Sequence, residues 1–584
     1  MDAGDGFLGV TRSMTGRRWV GPSAEQNRRA EAIAQAEGLP FPVCQTLARL
    51  GVPAEAVPGY MAPKLRDLLP DPRGLKDMER AAARLVQATE RKERVAVFAD
   101  YDVDGGASAA LLIRWFRAFG RDLTLYVPDR IDEGYGPNAP AMRALAADHD
   151  LIVCVDCGTL SHAALDAVPP GTDVVVLDHH LGGETLPAAV AVVNPNRQDE
   201  SGDLGHLCAA AVVFLALVEA NRQMRGAGQS GPDLMALLDL VALATVADVA
   251  PLAGANRALV RQGLSVMARR DRPGLAALAD IARLTTAPSS HHLGFVFGPR
   301  INAGGRVGRA DLGARLLATD DPAEAETLAA ELDAFNTERR RVENEVRAAA
   351  LAQAEKRGLD GPLVWAAGEG WHPGVVGIVA ARLKEATNRP AVVIGLDGAE
   401  GKGSGRSILG VDLGASVQRL ADEGLALKGG GHKMAAGLTV ARDKLEPAMD
   451  RLGQLLDRQC ATRTGPADLA LDGLIRPAAA TPELLSALDQ AGPFGTSAPA
   501  PLFALPDMMI RDASRVGDTH LRLGARDEMG RSISAICFGA YDGPLGPTLE
   551  AKRGERVHLA GRLELNQWGG RRSVQLRLED AAPT

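Results

Sequence analysis

Cysteine is scarce and scattered, with six residues in the whole chain and only Cys154 and Cys157 close together. No second pair accompanies that CxxC, so a thiolate zinc site has no complete ligand set; a dithiol site and a pair of reduced, buried thiols are both open readings. The N-terminus carries no basic segment followed by an apolar core, and no long uninterrupted apolar run occurs later. The expectation is therefore a cytoplasmic protein without a membrane span. Positive charge is not in excess either, since the formal net charge is −8. That balance argues against a wholly basic surface but leaves room for a local cationic groove. Aromatic residues make up only 4% of the chain, so few can serve as stacking surfaces.

What is present is a chain of 584 residues with ordinary apolar content and mixed charge, enough for several folded domains. Three short apolar runs end in acids. Val95, Val97 and Phe98 lead into Asp100, Asp102 and Asp104, followed by Gly105 and Gly106. The run LIVCVDCG ends at Asp156, and VVVLDHH ends at Asp178, His179 and His180. Each alone also admits the reading of an ordinary solvated turn. Together, three buried-type strands with metal-type ligands at their carboxyl ends predict a parallel sheet whose edge gathers those ligands. Asp248, after the apolar segment from Leu234 to Ala247, is a fourth contributor.

Helix and strand signals alternate from about Leu75, as βαβ units require. A helix is expected over Ala107 to Phe119, a strand over Leu123 to Val127, and helical structure over Ala255 to Thr286. GPRINAGGR reads as a flexible cationic loop carrying Arg300 and Arg306, a phosphate site or a glycine hinge. Pro322 opens a long helical pattern reaching about Arg357, in which Arg339 to Arg341 face either substrate or solvent. WHPGVVGIVA reads as a loop entering a helix, and GSGRS offers hydroxyls and a guanidinium suited to phosphate. Period-two segments at Leu521 to Gly524, Ser532 to Phe538, Val557 to Leu565 and Ser573 to Leu578 predict a small β-rich domain. Near the N-terminus, Ala24 to Glu37 is helix-like, and Trp19 beside Arg17 and Arg18 is either a base-stacking residue or part of a small packing subdomain.

The segments DYDVDG, VDCG, DHH at Asp178 to His180, and VADVAP resemble the successive motifs of the DHH phosphoesterase family. GPRINAGGR, WHPGVVGIVA, GSGRS and GGGHKMAAG (Gly429 to Gly437) are similar to those of its bacterial single-strand-specific exonucleases. The resemblance implies an α/β protein with a parallel-sheet DHH domain, a long connecting helix, a second α/β domain (DHH-associated domain 1) and a C-terminal OB-fold barrel. The corresponding spans are 1–75 for an N-terminal segment, then 76–318, 319–358, 359–463 and 464–584. It implies 5′ to 3′ hydrolysis of single-stranded DNA to 5′-mononucleotides in repair and recombination, through two Mn²⁺ or Mg²⁺ ions that activate a water. Asp156 bridges the ions in that scheme. Asp100 and Asp102 serve one, and Asp104, His179 and Asp248 the other. His180 and His432 act at the phosphate, and Asp178 supports the histidines. Asp100 stands near the place where the family's simpler members have a histidine. Arg130, Arg300, Asn302, Arg306, Ser404, Arg406, Gly430 and His432 are the implied phosphate and DNA contacts, with Phe538 and Trp568 as stacking residues on the barrel. The expected partners are single-stranded DNA, a RecQ-type helicase and a single-strand-binding protein, acting with a monomer. The alternatives are a phosphodiesterase for short oligonucleotides or cyclic dinucleotides, and a non-catalytic single-strand-binding relative.

Overall fold

A computed structural model describes residues 6–130, 132–460, 467–568 and 571–584. Five strands form the first sheet: β1 (Val95–Ala99), β2 (Thr124–Tyr126), β3 (Leu151–Val155), β4 (Asp173–Leu177) and β5 (Ala191–Val193). All pairs are parallel and the order is β2-β1-β3-β4-β5. Every residue of β1 and β3 is buried, because helices cover both faces and neither face can be polar. One face packs against α1 (Val103–Arg117), α2 (Ala209–Gly226) and α3 (Leu238–Ala247), and the other against a layer that includes Met142 and Leu145. In register, Ala99 lies opposite Val155 and Val155 opposite Leu177. The next residue on each strand is Asp100, Asp156 or Asp178, so three acids leave the sheet side by side.

The helical region expected over 255–286 is built as two helices, Gly254–Met267 and Pro273–Ile281, divided because Pro273 can begin a helix but not continue one. GPRINAGGR is not a flexible loop. It forms α4 (Gly298–Val307), preceded by a π-helical turn over Leu293–Phe297. Its glycines serve close packing, since a Cβ at Gly305 would lie 2.8 Å from the Tyr101 carbonyl oxygen and one at Gly304 would lie 2.9 Å from that of Arg309. Helix α5 (Pro322–Arg357) then runs 36 residues, capped by Asp321 and matching the expected span. At 1.5 Å per residue it reaches roughly 54 Å, enough to link two domains.

Beyond it, β6 (Val364–Glu369), α6 (Pro373–Thr387), β7 (Ala391–Asp397), β8 (Glu400–Arg406), β9 (Lys428–His432) and β10 (Ala435–Ala441) build a five-stranded sheet in the order β9-β10-β8-β7-β6. The C-terminal region is a closed barrel of β11 (Phe503–Val516), β12 (His520–Arg526), β13 (Ser532–Cys537), β14 (Arg556–Trp568) and β15 (Arg571–Pro583). Strand β11 has no simple period-two signal because Pro506 and Asp507 interrupt it at a register shift. The N-terminal segment is not a separate subdomain. Trp19 and Val20 pair with Leu469 and Ala470, and the fully buried Trp19 indole donates to Asp580 Oδ2 at 2.9 Å. That burial removes Trp19 as a base-stacking surface. Val43 and Leu47 share one core with the barrel residues Phe503 and Leu559. Among the described residues no helix is long and apolar enough to cross a membrane.

Candidate active site

The loop after β1 turns directly into α1, and Asp102 caps that helix by accepting from the Asp104 and Gly105 amides at 2.8 and 3.2 Å. Gly105 is required there, as a Cβ would approach the Asp100 carbonyl oxygen to 2.4 Å. Asp104 is buried and accepts from the Ala209 and Ala210 amides at 2.7 and 2.8 Å, so the start of α2 holds its carboxylate. Asp156 has φ 58°, a left-handed conformation that Asp tolerates better than most residues. Asp178 accepts from the Thr159, His179 and His180 amides and from His180 Nδ1 at 2.8 Å. Asn194 and Asn196, just past β5, donate to the His180 and His179 carbonyls, fixing both imidazoles from behind.

Among the described residues three clusters result: Asp100, Asp102 and Asp156; Asp104, His179 and Asp248; and Asp156, His179 and His180. In each, the potential ligand atoms lie within 4.8 Å of one another. His179 Nε2 is 3.3 Å from Asp156 Oδ1 and 3.7 Å from Asp104 Oδ2, while its Nδ1 is 3.9 Å from Asp248. Burial first, and neighbouring carboxylates second, push Asp100 and Asp156 well above the ordinary carboxylate range. The same two causes push Asp248 up to about 8. Asp178 goes the other way, because hydrogen bonds from His180 and Thr159 outweigh its burial. Asp100 Oδ1 and Asp156 Oδ1 are buried without a hydrogen-bond partner among the described residues. Orphaned acceptor oxygens beside an imidazole form an oxygen-rich donor set that suits Mn²⁺ or Mg²⁺ better than a thiolate-preferring ion. Cys154 and Cys157 are buried on the apolar side of the sheet, where burial raises both thiols. They are unsuited to reactive dithiol chemistry.

Across the cleft from the carboxylates lie cations. Half-buried Arg306 donates to the Gly374 carbonyl at the start of α6 at 3.1 Å, bridging the two α/β domains. Burial, then Arg130 and Arg339, push its pKa down to about 10. Arg406 donates to Ser404 Oγ at 2.9 Å, and Gly377 on α6 leaves room for both, since a Cβ there would lie 3.0 Å from Ser404 Oγ. Arg130 stands 5.3 Å over the Tyr101 ring, and its charge reaches Arg306, Arg406 and His372. Arg300 is not brought here: it is bound to Asp333 on α5 at 2.8 Å and to the Val296 carbonyl. Asn302 lines the cleft and accepts from the Val103 amide at 3.0 Å, tying α4 to the acidic turn. A cavity of about 510 Å³ continues from Arg306 between α4, α5 and α6, lined also by Arg339, Arg340 and Arg382. Arg341 points elsewhere, paired with Glu338 and Glu345.

His432 is exposed at the end of β9, with Gly430 two residues before it. Its Nδ1 accepts from the Met434 amide, and among the described residues it makes no hydrogen bond or ion pair with the carboxylate cluster. Phe538 is half exposed on the barrel, whereas the side chain of Trp568 lies outside the described residues. Two site residues escape sequence reasoning. Tyr135 donates to the Asp156 carbonyl at 2.9 Å and meets His180 Nδ1 at 3.0 Å, and His372 Nδ1 accepts from the Gly374 amide and caps α6. The only signals are the loop glycines flanking Tyr135 and the Pro after His372.

Comparison with known proteins follows the same division. Family models match at 94–245 (DHH family, N-terminal domain), 360–458 (DHHA1 domain) and 471–580 (RecJ OB domain). The single-stranded-DNA-specific exonuclease RecJ of Escherichia coli is 37% identical over 530 residues, 87% of this chain and 91% of that protein. The Thermus thermophilus protein of the same name is 34% identical over 87% of this chain and 71% of its own length. The crystal structure of RecJ from Thermus thermophilus in complex with Mn²⁺ aligns with a TM-score of 0.79 at 29% identity, covering 97% of this chain and 79% of that one. The chain belongs to the RecJ family of DHH proteins.

Proposed function

We propose that this protein is a single-stranded-DNA-specific exonuclease that hydrolyses phosphodiester bonds from the 5′ end with two Mn²⁺ ions, or Mg²⁺ in their place, and releases 5′-mononucleotides. The observation that carries the reading is Asp156: it is shared between clusters of oxygen and imidazole donors at a sheet edge, opposite a cationic cleft wall. The named relatives are single-strand exonucleases, and solved members of the family carry Mn²⁺ or Mg²⁺.

Asp100, Asp102 and Asp156 would hold one ion, and Asp104, His179 and Asp248, with Asp156 again, the other. Such ions, when bound, acidify water and offset charge developing on phosphoryl oxygens. The chain's own groups do the rest. Asp178 orients His180, which is placed to give a proton to the leaving oxygen. Tyr135 braces His180 and the Asp156 backbone. Ser404, Arg406 and Arg130 clasp the terminal phosphate and so set polarity, Arg306 and Asn302 take the phosphates that follow, and Gly430 and His432 approach the strand from the β9 end. A nuclease gripping one strand needs its substrate unwound and kept open. A RecQ-type helicase and a single-strand-binding protein in the cytoplasm fit that need, with the enzyme acting as a monomer.

Strands labelled at opposite ends, digested with Mn²⁺ present, test this. The 5′ label is expected to leave first as a mononucleotide, and an Asp156→Asn variant is expected to release neither. Equal release from the 3′ end, or turnover of cyclic dinucleotides alone, refutes it.

A further inference from the structure

Phe295 is 68% exposed in a chain that has few aromatic residues. It sits on the π-helical turn Leu293–Phe297, whose first and last residues, Leu293 and Phe297, are fully buried. The wide turn therefore anchors both ends in the core and projects the middle ring outward. Such turns recur at functional positions because they cost regular hydrogen bonding. The ring is not isolated: it stacks on His291 with centroids 4.8 Å apart and planes 28° from parallel. Ser290, next to His291, donates to the Phe494 carbonyl at 2.6 Å, fixing this turn against the C-terminal region.

On one side, Phe295 lines the cavity that continues from Arg306 past Arg339, Arg340 and Arg382. Glu343 also lines it, but is paired with Arg339 at 2.7 Å and Arg382 at 3.7 Å. On the other side, His291 lies near Arg562 and Arg577 of the barrel. Those charges, after burial, hold its imidazole below its ordinary pKa and favour the neutral ring. Arg577 in turn stands 5.3 Å over Phe538, which is 53% exposed and packs edge-on against His520 at 5.1 Å. Flat rings thus alternate with guanidiniums from the catalytic cleft to the barrel. A single nucleic-acid strand, whose stacked bases alternate with phosphates, matches that order. Arg562 and Arg577 also pair with Glu579 at 2.6 Å and Glu564 at 3.3 Å, so a purely apolar partner would have to desolvate charge on either side of the ring.

We propose, resting on the exonuclease reading above, that Phe295 and His291 form a stacking platform that supports a base of the single strand between the catalytic cleft and the barrel. It is a positioning element, remote from the reacting phosphate. It acts on how firmly the strand is held in line rather than on the bond-breaking step.

The test uses the full-length protein and 5′-phosphorylated oligodeoxynucleotides, each carrying one 2-aminopurine at a different position. An Asp156→Asn background prevents digestion during the fluorescence measurement. Stacking is expected to quench the probe at one or two adjacent interior positions. Phe295→Ala and Phe295→Leu are expected to relieve that quenching, and Phe295→Trp to retain it. In the otherwise native enzyme, KM for long strands is expected to rise roughly tenfold for the Ala and Leu variants with kcat little changed, in keeping with the loss of one base stack. The Leu variant keeps an apolar side chain and so separates stacking from simple coverage. Unchanged quenching in Phe295→Ala, or full retention by Phe295→Leu, overturns the platform while wild-type digestion of single strands leaves the exonuclease reading standing. A wild-type enzyme that neither binds nor digests single strands overturns both.

Discussion

Replacing Asp156 by Asn separates the two demands on the site, because the metal-free fold and the reaction want opposite things from that carboxylate. Its potential ligand atom lies within 4.8 Å of those of Asp100 and Asp102, in a pocket where Asp156 is 2% exposed. At an effective dielectric of about 20, two ionised carboxylates at that separation repel by roughly 3 kcal/mol. The chain tolerates this only by binding cations or by protonating acids, and the upward pressure on Asp100, Asp156 and Asp248 reflects it. Asn keeps the size of the side chain and, like Asp, accepts φ 58°. Ala would add about 1–2 kcal/mol of backbone strain and confuse the result.

The expected outcome for Asp156→Asn is therefore a metal-free protein more stable than wild type by about 1–3 kcal/mol, less than the full pair repulsion because protonation already relieves part of it. Turnover should fall roughly 10³-fold or more, equivalent to about 4 kcal/mol of transition-state stabilisation. Wild type should gain about 2.7 kcal/mol when Mn²⁺ is raised to a hundred times its dissociation constant, and the variant much less. Thermal unfolding with chelator and over a Mn²⁺ titration, paired with single-turnover digestion, measures all three. A variant less stable than wild type without metal, or equally stabilised by Mn²⁺, refutes the argument that Asp156 is a repelled, metal-sharing ligand.

The two arginines of GPRINAGGR should differ: Arg306→Met is expected to lower kcat/KM on single strands by at least about tenfold, and Arg300→Met by less than about threefold, since Arg300 spends its charge on Asp333. Steady-state kinetics of the two variants decides it, and equal losses would remove the distinction. Trp19→Phe should cost about 2–4 kcal/mol by deleting a buried donor to the Asp580 carboxylate and leaving a void. Urea denaturation followed by near-ultraviolet circular dichroism reads that loss, while the Mn²⁺-dependent gain in stability, which arises in the first sheet, should be retained.

The acid-bearing edge was legible because its signal is local. An apolar run ending in Asp names both the strand and the place where it stops, and register then aligns Ala99, Val155 and Leu177 without further instruction. Helix α5 was legible for a similar reason, since Pro322 opens it and helical spacing runs unbroken to Arg357. The choice between Arg300 and Arg306 was not. Read as a loop, the two are interchangeable; wound as helix α4, residues six apart point roughly 120° from each other, so one meets Asp333 and the other the cleft. Tyr135 was equally hidden, because its partners Asp156 and His180 come from distant segments, and although His372 caps its own helix, only the fold sets it near Arg130. The union of the N-terminal segment with the barrel depends on a contact between Trp19 and Asp580, more than five hundred residues apart, which no local pattern encodes.

Charge follows the same logic of placement over totals. A net charge of −8 repels a polyanion on average, yet Arg130, Arg306, Arg339, Arg340, Arg382 and Arg406 gather along one cleft. An acidic exterior with a cationic slot favours the one path on which phosphates are neutralised. On the roles proposed here, step size is then a matter of rigid spacing. The phosphate clasp of Ser404 and Arg406 belongs to one sheet and the carboxylates to another, so the gap between them sets where the strand is cut. Helix α5 spans that gap, and Arg306 locks it by donating across to Gly374. Arg257 fastens the remaining parts, stacking 3.7 Å over Tyr60 of the N-terminal segment and donating to the Ala491 and Gly492 carbonyls ahead of the barrel. On those roles, a strand drawn through that frame would reach the carboxylate cluster at a spacing from its clasped end that is set by how the domains are joined.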